Sequence, residues 1–467
     1  MMTGQQYRDS LRDGRRIYYA GELVDDVTTH PRFSTAVDIV AAGYDAGSAD
    51  PAENEALYQF PRTVAELRDR ITRLASWEVT RATTLESLLA LRTAGDRMGA
   101  DGAGYRERID AYVAMCRERD LRCVQTITDA KGDRAVSAKD QVDPDLYLRV
   151  VQRRPDGIVI NGAKLHISAA AIAHELVVIP TKRMRRGEED WAVACAVPVD
   201  AEGVMVLNTS PAPDPEAAEY HPYSRGHAIP EGMVIFDHVF VPNERVFLDG
   251  EVRHSATFAH SLGLWQRLGA VARLAQEADM LVGLAQLLAE ANGLERIHHI
   301  RDKISDLIIY ASLIRAGMEA AISNAQLSPD GYLTPDEVFT NAAKYYGAAN
   351  LATMLRNIHD IGGGAVLTAP LPGDLADPTI GPYVEKYMRT REHIDGEYRT
   401  RLMHAVRDLT ADTYGGWWQV SSLMSGGGLY AQKLVATKNY DVQRAKAIAL
   451  DAIGLTEPKA DDPDGTT

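Results

Sequence analysis

The chain has 467 residues, 45% of them hydrophobic and 25% charged, with a formal net charge of -15. That length and apolar content can bury more than one core and imply two or three globular domains. The acidic excess argues against a general nucleic-acid or anionic-membrane partner, since both call for clustered Lys and Arg. Neither the opening MMTGQQYRDSLRDGRRIYYAGELV nor any later stretch contains an uninterrupted apolar run of about 18 residues, so a cytoplasmic location is expected. The three cysteines, Cys116, Cys123 and Cys195, cannot make a disulfide framework and suit a reducing compartment. Cys116 and Cys123 are expected to be buried thiols sharing a face of one helix, too far apart to grip a metal ion together.

Residues 1–140 read as a helical domain. In FPRTVAELRDRITRLASWEVTRATTLESLLALRTAGDR the apolar positions recur at three-to-four spacing, Pro61 suits a helix start, and IDAYVAMCRERDLRCV continues the helical pattern. Next comes TITDAKGDRA, a polar junction with almost nothing apolar. From 141 to 255 the period changes to two, in LYLRVV, GIVING, ELVVIPT, WAVACAVPV and GMVIFDHVFVP, separated by Asp-Gly, Asn-Gly and Pro-rich turns, which predicts a compact β domain. From 256 to 467 long helical patterns return, as in LGAVARLAQEADMLVGLAQLLAEA and RDKISDLIIYASLIRAGMEAAISNA, long enough for a helical bundle. A β domain between helical domains leaves clefts at the junctions, where ligand sites are common.

Standard catalytic signatures are missing: there is no GxSxG elbow, HExxH, CxxC, GxxxxGK[ST] or calcium loop. Glycine clusters stand at 99–104, 362–364 and 426–428. None follows a strand and opens a helix, as a dinucleotide fingerprint must, so no nicotinamide domain is expected.

The phrases TDAKGDR, DPDLYLRVVQRRPDGIVINGAKLHIS, HELVVIPT, DHVFVPNERVF and HDIGGGAV, in this order, resemble the flavoprotein family of 4-hydroxyphenylacetate 3-monooxygenase oxygenase components and 4-hydroxybutyryl-CoA dehydratases over nearly the whole chain. The resemblance implies an α+β, acyl-CoA dehydrogenase-like fold with an N-terminal helical domain, a middle β-barrel or sandwich and a C-terminal helical bundle, assembled as a homotetramer around FAD. By the same resemblance Thr126, Thr128, Lys131, Gly132, Asp133 and Arg134 run along the flavin, with backbone amides and cations for its pyrophosphate. His166 and Ser168, in KLHIS, fall beside the isoalloxazine, where a hydroxyl serves its polar edge. Gly362, Gly363 and Gly364 match a turn that a neighbouring subunit brings against the dinucleotide, and Gly426 and Gly427 match a second segment near the flavin.

The dehydratase branch of the family holds an iron-sulfur cluster through Cys-x3-Cys and then His-x6-Cys. Here the first region, RMGADGAGYRERIDAY, has no cysteine, and in FAHSLGLWQRLGAV His260 is followed seven positions later by Arg267. Neither a cluster nor any other metal is expected. The monooxygenase branch places Arg, Tyr and His around a phenol; Tyr105 matches the tyrosine, Asp101 falls near the arginine's place and Gln125 at the histidine's. The expectation is a monooxygenase using reduced FAD from a separate flavin reductase, acting on an aromatic or heteroaromatic small molecule, with Tyr105, His260 and Gln125 as candidate catalytic residues. The alternative is a cluster-free dehydratase or isomerase of an acyl thioester, for which KRMRRG at 182–187 offers cations for CoA phosphates or is simply a solvated hairpin tip. A third reading is a non-catalytic assembly protein that keeps the fold.

Overall fold

The computed structural model describes residues 1–210 and 220–457. The first helices are α1 (Gly4–Ser10), α2 (Ser34–Ala49), α3 (Pro51–Tyr58), α4 (Val64–Ser76), α5 (Val79–Met98) and α6 (Ala103–Glu118). The long amphipathic stretch after Pro61 is two helices, because each has its own N-cap. The Thr63 side chain accepts from the Glu66 N–H, and the Glu78 carboxylate accepts from the N–H groups of Thr80 and Arg81.

The strands are β1 (Ile17–Tyr19), β2 (Glu22–Leu23), β3 (Cys123–Thr126), β4 (Thr128–Asp129), β5 (Arg149–Arg154), β6 (Gly157–Ser168), β7 (Glu175–Val178), β8 (Val193–Pro198), β9 (Val204–Thr209), β10 (Glu231–Pro242) and β11 (Val246–Asp249), with the short helix α7 (Pro222–Gly226) before β10. One sheet runs β2-β1-β9-β10-β6-β4 with β5 also on β6, and the other runs β11-β8-β7-β3. The pairs β1–β9 and β3–β7 are parallel. Ile158, Ile160, Val206, Val234 and Phe236 from the first sheet share a core with Val124, Leu176, Val178 and Cys195 from the second. The outer face of the second sheet presents Val177, Ala194, Ala196 and Phe247 to Leu88 of α5 and to Phe258, Leu262 and Trp265. Burial on both faces explains why ELVV and WAVACAVP read as continuous apolar runs.

The strands start earlier than the change of period implied. Residues 17–23 add an edge to the larger sheet, and the sheet region resumes at Cys123. Cys123 therefore does not continue the helix of Cys116: the chain reverses at Asp120, which has φ 53°, and the two thiols meet at 3.7 Å from α6 and β3. Asn161 and Gly162, expected in a turn, lie inside β6. Gly162 has φ 131°, and a Cβ there would stand 2.7 Å from the Leu148 Cα, so glycine is needed for this close approach.

The bundle is built from α8 (Val252–Ala291), α9 (His298–Ser323) and α10 (Glu337–Gly362), followed by α11 (Ala365–Thr368), α12 (Pro372–Ala376), α13 (Gly381–Met388), α14 (Gly396–Thr410), α15 (Thr413–Met424), α16 (Leu429–Asn439) and α17 (Val442–Ile453). Its core gathers Leu274, Leu281, Leu288, Leu307, Ile314, Leu351, Ile358 and Val406. The first half of α8 packs instead in the core of the N-terminal helices, so one 40-residue helix joins both. Helices, sheets and helices follow one another as the periodicity predicts.

Candidate functional site

The polar junction is a short strand followed by a left-handed loop. β4 pairs with β6 through Thr128 and Leu165 and through Asp129 and Lys164. Lys164 and Asp129 form an ion pair at 2.8 Å, each side chain only 2% exposed. The Lys164 ammonium also donates to the carbonyls of Ile127 (2.8 Å) and Ile179 (3.0 Å). Asp129 accepts from the Leu148 N–H (2.9 Å) and from the Thr181 hydroxyl (2.5 Å). A buried charge pair with nearly every lone pair and proton committed holds this strand in place.

Beyond it, Lys131 and Gly132 take φ 69° and 48°. Gln141 closes the loop by accepting from the Asp133 N–H (3.0 Å) and donating to the Asp133 carbonyl (2.7 Å). A Cβ at Gly132 would lie 2.3 Å from Gln141 Oε1, so the closure requires glycine. The Asp133 carboxylate accepts from the Ala135 N–H (2.9 Å). Lys131 and Arg134 are left without an ion-pair or side-chain hydrogen-bond partner among the described residues. Partial burial, then the Arg134 charge, lowers the Lys131 pKa. Two unpaired cations on a backbone of consecutive left-handed residues fit a pyrophosphate.

Ser168 and His166 lie at the end of β6. His166 is exposed at a bulge with φ 61°, opposite the register shift of β10. The Ser168 hydroxyl donates to Glu231 Oε1 (2.8 Å), which also accepts from the Trp417 indole N–H (3.0 Å). Ser168 thus stands at the seam between the β domain and α15, and burial raises the Glu231 pKa.

Thr126 is buried in β3, its hydroxyl against the Val124 carbonyl (3.3 Å). One residue earlier, Gln125 Nε2 donates to Glu86 Oε2 on α5 at 2.8 Å. Burial pushes the Glu86 pKa up to about 7. Arg273 approaches Glu86 Oε1 at 3.8 Å. Further along α8 Glu277 is likewise pushed to about 7 by burial, and burial followed by the Arg273 charge lowers Lys344, on α10, to about 8. Lys344 donates to the Ser422 carbonyl near the end of α15. This polar seam runs from the cradle strand into the bundle, and burial shifts Glu86, Glu277 and Lys344 toward neutrality.

The remaining candidates lie elsewhere. The Tyr105 hydroxyl donates to Glu251 (3.0 Å) and accepts from the Asp249 N–H (3.2 Å), at the corner between β11 and α8. Desolvation, then the Glu251 charge, raises its pKa to about 12. His260 makes no hydrogen bond among the described residues; partial burial, then the Lys438 charge, lowers its pKa. Gly362 ends α10, while Gly363 and Gly364 are exposed, with nothing within 4 Å of an added Cβ. Gly426 and Gly427, with φ 73° and 90°, make the turn between α15 and α16. Arg267 clamps that turn, donating to the Gly426 carbonyl (2.8 Å) and to Asn341 Oδ1 (2.9 Å). The structure therefore brings together residues 125–134 at the first junction and Ser168 at the second seam; it gives Tyr105 and the 426–427 turn partners of their own.

Sequence reasoning passed over Glu86, Arg273, Lys344, Glu231, Trp417 and the Lys164–Asp129 pin. A signal existed for the first three, each a charge set in an otherwise apolar helical face, as Lys344 is between Ala343 and Gly347. Periodicity marks such a position without naming its partner.

Helices, a two-sheet β domain and a helical bundle, in that order around these seams, define a protein of the acyl-CoA dehydrogenase-like fold. The chain belongs to the 4-hydroxyphenylacetate 3-hydroxylase family, whose N-terminal model matches residues 3–248 and whose C-terminal model matches residues 255–454. It is 25% identical to the 4-hydroxybutyryl-CoA dehydratase/vinylacetyl-CoA-Δ-isomerase of Clostridium aminobutyricum over 97% of this chain and 100% of that relative. It is 27% identical to the 4-hydroxyphenylacetate 3-monooxygenase oxygenase component of Geobacillus sp. (strain PA-9) over 88% of each chain. Among solved structures, the oxygen-tolerant archaeal 4-hydroxybutyryl-CoA dehydratase from N. maritimus superposes with a TM-score of 0.88 at 24% identity, covering 99% of this chain and 97% of that one. The oxygenase component (HpaB) of 4-hydroxyphenylacetate 3-monooxygenase complexed with FAD superposes with a TM-score of 0.86 at 24% identity, covering 97% and 99%.

Proposed function

We propose that this chain is the oxygenase component of a two-component monooxygenase, taking reduced FAD from a separate flavin reductase and hydroxylating an aromatic or heteroaromatic small molecule. The observation that carries the choice between branches is Arg267. It stands where the resemblance puts a cluster cysteine, and its guanidinium is tied to the Gly426 carbonyl and Asn341. The three cysteines are buried in α6, β3 and β8, and none stands at that position. The relatives include an FADH(2)-dependent monooxygenase of Burkholderia cepacia and a 4-nitrophenol monooxygenase oxygenase component of Rhodococcus opacus, 24% and 25% identical.

The cradle fits FAD: Lys131 and Arg134 would meet the pyrophosphate, the 126–128 strand and Ser168 the ring system, and the open turn at Gly363 and Gly364 a neighbouring subunit's dinucleotide. When bound, reduced flavin supplies the electrons and the oxygen activation. The protein's part is to hold the ring on a rigid strand, pinned by Lys164 and Asp129, and to place the substrate beside Gln125. His260 would act as acid or hydrogen-bond donor at the bundle side. A cytoplasmic homotetramer belongs to this reading. Exposed Tyr383, Tyr387, Val420, Leu434, Ile448 and Ile453 support assembly, and the buried free thiols suit a reducing compartment.

The competing reading, a cluster-free acyl-thioester dehydratase or isomerase, has one favouring feature. Arg183, Arg185 and Arg186 line a 440 Å³ hollow with Met184, Val252 and Arg253, in a hairpin tied to the cradle by the Ala138 N–H donating to Glu188 (2.8 Å). Turnover with chemically reduced FAD, with and without oxygen, against phenols, indoles and acyl thioesters separates the two. Product that forms only with oxygen is expected; product formed equally well without it refutes the oxygenase reading.

A further inference from the structure

The Ser168 hydroxyl is not free to turn. Ser168 ends β6 opposite Glu231, the first residue of β10, and stands between two left-handed residues, His166 and Ala169, each with φ 61°. Ala169 is anchored in turn, its N–H donating to the Pro230 carbonyl (2.7 Å). Ile167 belongs to the β core, so strand alternation sends the Ser168 side chain to the other face, where α15 docks. The Ser168 proton goes to Glu231 Oε1 (2.8 Å), and the same oxygen takes the Trp417 indole N–H (3.0 Å). The indole stacks on Tyr414 of the bundle core, with ring centroids 5.5 Å apart, so this donor is fixed from the far side of the seam. Glu231 has no ion pair among the described residues, and no cation competes with the serine for its carboxylate. Burial raises its pKa. A proton taken up there sits on Oε2, so Oε1 accepts in either state. A hydroxyl whose one proton is committed in this way can only accept from whatever else reaches it.

We propose that Glu231 is a positioning residue that commits the Ser168 proton, so that Ser168 meets the flavin as an acceptor and selects the reduced ring over the oxidised one. The inference rests on the proposed placing of FAD, with its ring system at Ser168. The two redox states differ in hydrogen-bonding character, because reduction puts a proton on a ring nitrogen that is a bare acceptor in the oxidised form. A serine lone pair held toward that edge is satisfied by the reduced ring's N–H; against the oxidised ring it meets another lone pair. An oxygenase fed by a separate reductase thereby takes up the form the reductase releases and lets the spent form go. Selection of this kind needs only a difference in affinity between the two states. Glu231 supplies it through Ser168, without touching the ring.

The test is anaerobic binding of oxidised and of chemically reduced FAD, with no substrate and no turnover, together with the reduction potential of the bound flavin. Wild type is expected to bind reduced FAD tighter by about tenfold or more, one hydrogen bond gained and one clash of acceptors avoided. The bound potential should then lie about 30 mV or more above that of free FAD. Ser168→Ala should erase the preference. Glu231→Leu, and Glu231→Asp with its shorter reach, should erase it too, while Glu231→Gln, whose carbonyl oxygen still accepts from Ser168, should keep it. Ser168→Ala/Glu231→Leu should match Ser168→Ala alone, a non-additivity that a merely structural glutamate does not give. Thermal melting shows which variants are folded, and Glu231→Asp decides where Glu231→Leu is not. A preference that survives in Ser168→Ala refutes the placing of the ring, and the inference falls with it. A preference lost in Ser168→Ala but kept in a folded Glu231→Leu or Glu231→Asp overturns this inference alone, as do equal wild-type affinities for the two redox states or a double variant worse than Ser168→Ala.

Discussion

Lys164→Met removes the cation that pins the cradle strand. In the wild type its ammonium serves Asp129 at 2.8 Å and the carbonyls of Ile127 and Ile179, and both partners of the ion pair are almost wholly enclosed. Methionine fills a similar volume, so little cavity forms and the loss is mainly electrostatic. Asp129 keeps the Leu148 N–H and the Thr181 hydroxyl but loses the one counter-charge at bonding distance among the described residues. Breaking a buried pair from one side costs about 3–5 kcal/mol, because the survivor remains charged in a poor solvent. The double variant Lys164→Met/Asp129→Asn leaves no bare charge and should recover about 1–2 kcal/mol of that. Urea unfolding of the FAD-free protein at neutral pH, followed by tryptophan fluorescence, reads both values. FAD affinity should fall in parallel, since the strand leads directly into the 131–134 loop. If Lys164→Met unfolds within about 1 kcal/mol of wild type, or if the double variant is less stable than the single one, the pin is not what holds the cradle.

Arg134→Ala should weaken FAD binding by about 1–3 kcal/mol through loss of a charge-assisted contact, with stability unchanged because the exposed side chain has no hydrogen-bond or ion-pair partner among the described residues; a flavin titration decides it. Glu86 has its pKa raised from an ordinary 4.5 to about 7, so the folded state holds the proton more tightly than the unfolded chain and stability declines as pH rises from 4.5 to 7. That decline amounts to about 3 kcal/mol. Glu86→Gln should flatten it and exceed wild type above pH 7, and parallel urea midpoints at pH 5.5 and 8 would contradict this. Tyr105→Phe should cost about 0.5–1.5 kcal/mol of stability, for the lost bond to Glu251, while FAD affinity stays at the wild-type level. A turnover loss of tenfold or more in that variant would assign its hydroxyl to the substrate instead.

The order of helices, sheets and helices was determined by the sequence alone, because amphipathic period and double-sided burial are local properties of a strand or helix. GMVIFDHVFVP alternates as β10 does, and the long pattern through LGAVARLAQEADM is α8. The polar TITDAKGDRA was also legible as something other than core, since a segment with almost nothing apolar has little hydrophobic burial to drive it inward. What that segment does depended on docking. Whether Lys131 and Arg134 are free or paired is decided by which carboxylates the fold delivers, and Asp129 and Asp133 are both turned away, to Lys164 and to the Ala135 N–H. Gln125 and Glu86 are 39 residues apart, and Trp417 and Glu231 are 186 apart. Cys116 and Cys123 are close in sequence, yet they meet only because the chain reverses at Asp120. Local periodicity records which face of an element is buried; the partner across that face is chosen by how whole helices and sheets pack, so Glu86, Trp417 and the Lys164 pin could be seen only once the three layers were assembled.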